Sequence, residues 1–233
     1  MVALFVIATF FFFLALDYLI QRKAVAVETG RDGTAQRAGA QAERFVIPRG
    51  YFFSPKHTWV ELLGMGHARV GIDDFIQKVI GTIDSIRVAP VNSVVKRGDP
   101  ILTIVQNGRE LTVAAPISGR ILEVNEQLMQ SPDQLRHDPY LAGWVATILP
   151  ENLGAEVKTL SIADETAAWL RQEIARFRDF INVRTPQLAT GVTMLDGGVP
   201  MVGALQGAEE SVWRDFEREF LTAPREQSET RYT

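Results

Sequence analysis

Residues 99–119 read DPILTIVQNGRELTVAAPISG. Two apolar, β-branched runs flank Asn107-Gly108, and a turn follows at Pro116–Gly119. Asn and Gly both tolerate φ > 0, so Asn-Gly between such runs is a strong hairpin signal. The stretch predicts two antiparallel strands, Ile101–Gln106 and Arg109–Ala114. Outward from it the same pattern predicts strands at Thr58–Leu62, Ala68–Ile72, Thr82–Val88, Arg120–Val124 and Trp144–Ile148. Val94–Asp99 reads as a strand end feeding a Gly-Asp turn. Many short strands at close spacing imply a small sandwich or barrel.

Two helices interrupt this pattern. One follows Asp73, where Phe75, Ile76, Val79 and Ile80 recur at helical spacing. The other is expected from Ser131, with Ser131 as N-cap, Pro132 at the first helical position and Gln134 at the third.

Composition narrows the function. The chain has 233 residues, 46% hydrophobic and 22% charged, which fits a globular protein. A net charge of −4 gives no support for a nucleic-acid partner. With no cysteine, disulfides, thiolate catalysis and iron–sulfur ligation are excluded together.

At the N-terminus, Val2–Ile20 is apolar apart from Thr9, Asp17 and Tyr18, and Gln21-Arg22-Lys23 follow. As a helix, this run nearly matches the roughly 30 Å hydrocarbon core of a bilayer. Ala24-Val25-Ala26 offers an Ala-x-Ala-like cleavage site. However, nothing basic precedes the run, and Arg22-Lys23 fall between it and the site. The expectation is an uncleaved single-pass anchor in the inner membrane. By the positive-inside rule the N-terminus is out and the bulk of the chain cytoplasmic. The polar, Gly/Ala-rich stretch Glu28–Arg44 reads as linker.

In the middle of the chain the sequence resembles the glycine cleavage system H protein family. The shared pieces run in order from Lys56-His57-Thr58-Trp59-Val60 and Val70-Gly71-Ile72-Asp73-Asp74-Phe75 to Val95-Lys96-Arg97-Gly98-Asp99. They continue through Ala115-Pro116-Ile117-Ser118-Gly119, Val124-Asn125-Glu126, Ser131-Pro132, Asp138-Pro139-Tyr140 and Gly143-Trp144. The resemblance implies a lipoyl-type barrel-sandwich fold. It also implies a hairpin lysine acylated with lipoate, within a Glu-Ser-x-Lys-Ala stretch. Here that stretch is Val105-Gln106-Asn107-Gly108-Arg109-Glu110. Counting forward from Val105 puts Arg109 at the lysine position, and counting back from Pro116 puts Gly108 there. A guanidinium stays protonated and glycine has no side chain, so neither can be acylated. The expectation is a degenerate tip at Asn107, Gly108 and Arg109, with no lipoate, no biotin and no other cofactor.

No catalytic or metal site is expected either. His57, His67 and His137 form no ligand pattern. His57, beside Trp59, reads as a packing or hydrogen-bonding residue, and the other two as solvated. Asp73-Asp74 reads as a helix cap rather than a catalytic pair. No phosphate-binding glycine loop is present.

Beyond Pro150, Ala163–Ile181 is predicted as a helix capped by Ser161 or Asp164. Leu170, Ile174, Phe177 and Ile181 form its apolar stripe, with Trp169 at the flank. Arg171, Arg176 and Arg178 lie largely off that stripe, diluted by Glu173 and Asp179, as on a solvated face. Val192–Leu195 and Met201-Val202 suggest a short hairpin around Asp196-Gly197-Gly198. Glu209–Leu221 reads as a second helix, with Val212, Phe216 and Phe220 on one face and Trp213 beside them. The two aromatic stripes can pack together as a hairpin, dock on the β-domain or face another subunit, and Trp169, Phe177, Trp213, Phe216 and Phe220 are the candidate partner contacts.

The expected architecture is mainly β with added helices: an anchor (1–23), a linker (24–44), a lipoyl-type domain (45–153), a helical extension (154–222) and a tail (223–233). The expected function is a non-catalytic scaffold subunit of a membrane complex. It would contact integral membrane subunits and the lipid bilayer. By analogy of architecture alone, the complex is respiratory or photosynthetic. The alternative is a lipoyl-type carrier.

Overall fold

A computed structural model of the chain describes residues 45–185 and 202–222, and the backbone of 25–27. The strands are β1 (Val25–Val27), β2 (Phe45–Ile47), β3 (Tyr51–Phe53), β4 (Thr58–Leu62), β5 (Ala68–Ile72) and β6 (Ser85–Val88). They continue with β7 (Val94–Val95), β8 (Pro100–Gln106), β9 (Arg109–Ala114), β10 (Gly119–Val124) and β11 (Trp144–Pro150). The helices are α1 (Asp74–Ile80), α2 (Glu126–Gln130), α3 (Gln134–His137), α4 (Leu153–Glu156), α5 (Ala163–Arg184) and α6 (Glu210–Phe216). A π-helical turn, Glu217–Leu221, continues α6.

Among the described residues the strands form three sheets. One has the order β3-β4-β5-β11-β10-β7, a second β6-β8-β9, and β1 pairs with β2. The two larger sheets meet face to face: Val70, Ile72 and Val145 of the first surround the same small void as Ile101, Leu102 and Val113 of the second. Alternating burial along β8 and β9 shows the period of two that such a face requires. The predicted hairpin is present, with Gln106 opposite Arg109.

Local chemistry explains the departures from expectation. β6 starts at Ser85 rather than Thr82 because the Thr82 carbonyl accepts the Gln106 side-chain amide. Ser131 does not open a helix. It closes α2, its N–H donating to the Gln127 carbonyl at 2.9 Å, and α3 begins only at Gln134. Neither Ser161 nor Asp164 caps α5, whose N-cap is Ile162. Ser161 is committed elsewhere: its backbone exchanges hydrogen bonds of 2.8 and 2.9 Å with Phe53, and its hydroxyl lies 2.9 Å from that of Thr166. Asp73 does cap α1, accepting from Phe75 and Ile76. Val25–Val27, inside the stretch read as linker, is a strand paired antiparallel with β2.

One buried cluster spans the β-domain and the C-terminal helices. Phe177, Trp213, Phe216 and Phe220 are each at most 1% exposed, inside that cluster. Of the three ways of covering these apolar faces, the structure shows packing within the chain, so these four side chains are not exposed for a partner. Trp169 is half-buried, its ring 5.0 Å from that of His57.

No helix of the described residues is long and apolar enough to cross a membrane. The apolar run 2–20, the suggested hairpin strand at 192–195 and the tail 223–233 lie outside the described residues.

Candidate functional site: a hairpin tip tied to the C-terminus

The tip turns at Asn107 (φ 49°) and Gly108 (φ 74°), the two positive values a two-residue hairpin of this kind needs. The Asn107 amide donates to Asp84 Oδ2 at 2.6 Å. Gln106, fully buried, donates its side-chain amide to the carbonyls of Ile80, at 2.9 Å, and Thr82. The tip is thus fastened from below to the segment that follows α1.

From above it is fastened by residues 202–222. Arg109 donates to the carbonyls of Gln206, at 2.9 Å, and Ala208, and its guanidinium lies 4.5 Å from the Trp213 ring centroid. Trp213 is itself held by its indole N–H on the Leu205 carbonyl at 2.9 Å. On the edge strand β9, the Thr112 amide donates to Glu217 Oε1 at 2.8 Å. The strap 203–206 lies directly on the end of α1: the amides of Gly203 and Leu205 donate to the carbonyls of Lys78 and Val79. Gly203 and Gly81 approach so closely that a Cβ on Gly81 would come 2.8 Å from the Gly203 Cα. No lysine occurs between Lys96 and Lys158, so none stands on this hairpin.

A second polar cluster lies where α5 meets the β-domain. His57, fully buried, has Nδ1 2.8 Å from Asp73 Oδ2 and Nε2 3.4 Å from Glu173 Oε1. Its ring stacks on Phe75 at 4.5 Å. Burial works to lower the His57 pKa, but the charge and hydrogen bond of Asp73, joined by the charge of Glu173, outweigh it and hold the pKa above its ordinary value. His57 therefore does have the expected packing and hydrogen-bonding role. His67 is half-buried and His137 exposed. Among the described residues no group of three or more His, Asp or Glu side chains could hold a metal ion.

An open groove of about 480 Å³ runs between α1 and α3, with Lys78, Arg136 and Tyr140 among its walls. Burial pushes the Tyr140 hydroxyl well above its ordinary pKa. It donates to the Val46 carbonyl at 2.6 Å and so serves the packing of β2.

Sequence reasoning found the tip residues but not what holds them. Gln206, Ala208, Trp213 and Glu217 are distant in the chain and carry no local signal for the hairpin.

The sandwich with its fastened hairpin defines a lipoyl-domain-like protein. The glycine cleavage H-protein family matches residues 51–173, and the chain belongs to it. A probable glycine cleavage system H protein of Pyrococcus furiosus is 37% identical over 127 residues, covering 54% of this chain and 94% of the relative. Glycine cleavage system H protein 2 of Aquifex aeolicus is 32% identical over 132 residues, covering 56% of this chain and 82% of the relative. A crystal structure of a glycine cleavage system H protein from Mycobacterium marinum aligns with a TM-score of 0.45 at 22% identity, covering 55% of this chain and 98% of that one. The strap and α6, which hold Arg109, lie beyond the matched residues.

Proposed function

We propose that this chain is a non-catalytic member of the H-protein family, bearing no group on its hairpin, that serves as a protein-contact module of a membrane complex. The observation that carries the reading is Arg109. It is the side chain nearest the tip with the reach of a lysine, and it is bonded to two carbonyls and an aromatic ring of the same chain. Acylation needs an amine that can lose its proton and attack. A guanidinium cannot do so at physiological pH.

Among the described residues the lysines stand off the hairpin, at 56, 78, 96 and 158. Intact-mass spectrometry of the purified chain tests the reading. The unmodified mass is expected, and a lipoyl-sized increment refutes it. That increment would favour the second reading, a lipoyl-type carrier, which family membership supports and the hairpin chemistry opposes.

Membrane attachment belongs to the same proposal and is supported by the apolar run 2–20 and the basic pair after it. The bulk of the chain is then cytoplasmic and the partners are integral membrane subunits, in the manner of one-span accessory subunits of energy-converting complexes. A C-terminal reporter active only in the periplasm would refute the orientation. Purification in mild detergent as a lone monomer would refute the complex.

A further inference from the structure

We infer that His57 is a proton-operated latch holding α5, and through it the C-terminal strap, against the β-domain. The geometry is that of a cation between two buried anions. Asp73 and Glu173 are 2% and 4% exposed and approach opposite nitrogens of one fully buried imidazole. Asp73 belongs to the β-domain and is fixed by capping α1. Glu173 belongs to α5. The imidazole is therefore the polar link between the two bodies at this point: a hydrogen bond to Asp73 on one side and an ion-pair contact with Glu173 on the other, and it serves both carboxylates only when both nitrogens carry protons.

The other groups around it replace it only at Glu173, and among the described residues none reaches Asp73 with a positive charge. On its own loop, Lys56 is half-buried, its pKa lowered by burial and by Arg176 against the opposing pull of Glu173. On α1, Asp74 is paired with Lys78 at 2.9 Å. On α5, Arg176 reaches Glu173 at 2.8 Å from the solvent side. Phe75, Trp169 and, from the π-helical turn, Phe220 present rings without charge. Tyr140, near Asp73 and Asp74, is kept neutral by burial. When His57 loses its proton, Asp73 loses the cation that faces it and Glu173 keeps Arg176 alone, and separation of α5 relieves the cost of the two buried carboxylates.

The effect reaches the strap because Arg176 also donates to the Glu219 carbonyl at 2.6 Å and lies 4.1 Å from the Phe220 ring centroid. Loosening of α5 therefore loosens the segment that fastens the hairpin tip.

The sign follows from linkage. The docked state holds the His57 proton more tightly than the undocked state. The stabilisation is complete below the undocked value, about 6.5, and is lost as pH rises through the docked value. Between the two, the opening constant of α5 rises up to about tenfold per pH unit.

Hydrogen exchange of the full-length chain, divided by intrinsic exchange rates, reads this directly. Protection of the Ala167–Ile181 amides is expected to fall with that slope above about pH 6.5, while β8 amides stay flat. The nitrogen shifts of His57 are expected to be those of an imidazolium at neutral pH. His57→Gln is expected to abolish the slope. Glu173→Gln, which leaves the imidazole in place, is expected to move the slope to lower pH, and it keeps the test open where His57→Gln does not fold. A neutral ring at neutral pH, a slope that survives His57→Gln, or α5 and β8 losing protection in parallel would each overturn the latch.

Discussion

Replacing Phe220 with alanine separates two accounts of the C-terminal aromatic rings. If they served another chain, truncating one would leave the isolated protein's stability unchanged. The structure instead buries Phe220 completely. Its ring centroid is 4.9 Å from Phe216, 5.4 Å from Phe180, 5.8 Å from Phe177 and 6.3 Å from Phe75, and the Arg176 guanidinium lies 4.1 Å from it on the outer side. Truncating a core phenylalanine costs about 3–5 kcal/mol, including the cavity it leaves. The edge-on pairs with Phe177 and Phe180 push the figure toward the upper half, about 4 kcal/mol. For a chain of this size each kcal/mol shifts the melting temperature by about 2–4 °C, so the expected fall is about 8–16 °C. Far-UV circular dichroism of the purified full-length variant measures it. Phe220→Leu, which retains part of the volume, should lose less than half as much. A Phe220→Ala melting temperature within about 2 °C of the parent, at unchanged helix content, would refute the packing argument.

Two further substitutions test other contacts. Arg109→Ala removes two charge-assisted hydrogen bonds and a cation–π contact at a half-buried position. It should weaken strap docking by about 1–2 kcal/mol, visible as faster exchange at Leu205–Trp213 and red-shifted tryptophan emission without change in the β-sheets. Gly71→Ala drives a methyl into the Trp59 ring, which cannot retreat because its N–H is held by the carbonyls of Ile72 at 2.8 Å and Pro139 at 3.2 Å. It should cost about 3 kcal/mol, read as a lower urea midpoint.

Local signals in the sequence carried the elements that are locally determined. Asn107-Gly108 made the hairpin legible because its backbone requirement is met by two adjacent residues. Asp73 was legible as a cap because the N–H groups that donate to it lie two and three residues on. β2 and β3 were not legible: each is three residues long, and Pro48 and Gly50 separate them, too short a run for alternation to register. The aromatic stripes of α5 and α6 were visible, but periodicity says only that a face is apolar, not which surface covers it. That is why the sequence leaves Phe177, Trp213, Phe216 and Phe220 open between internal packing and a partner. The same limit applies to His57 and Glu173, and to Arg109 and Ala208, pairs joined only by tertiary folding.

The pairing of β1 with β2 changes the meaning of the N-terminal stretch. With Val25 already in a strand paired to β2, the folded body begins at β1 and not at Phe45. Four residues, Gln21–Ala24, separate the apolar run ending at Ile20 from Val25, and five peptide steps reach at most about 18 Å when fully extended. Ile20, at the end of that run, therefore stands within that distance of Val25, whatever path the joining residues take.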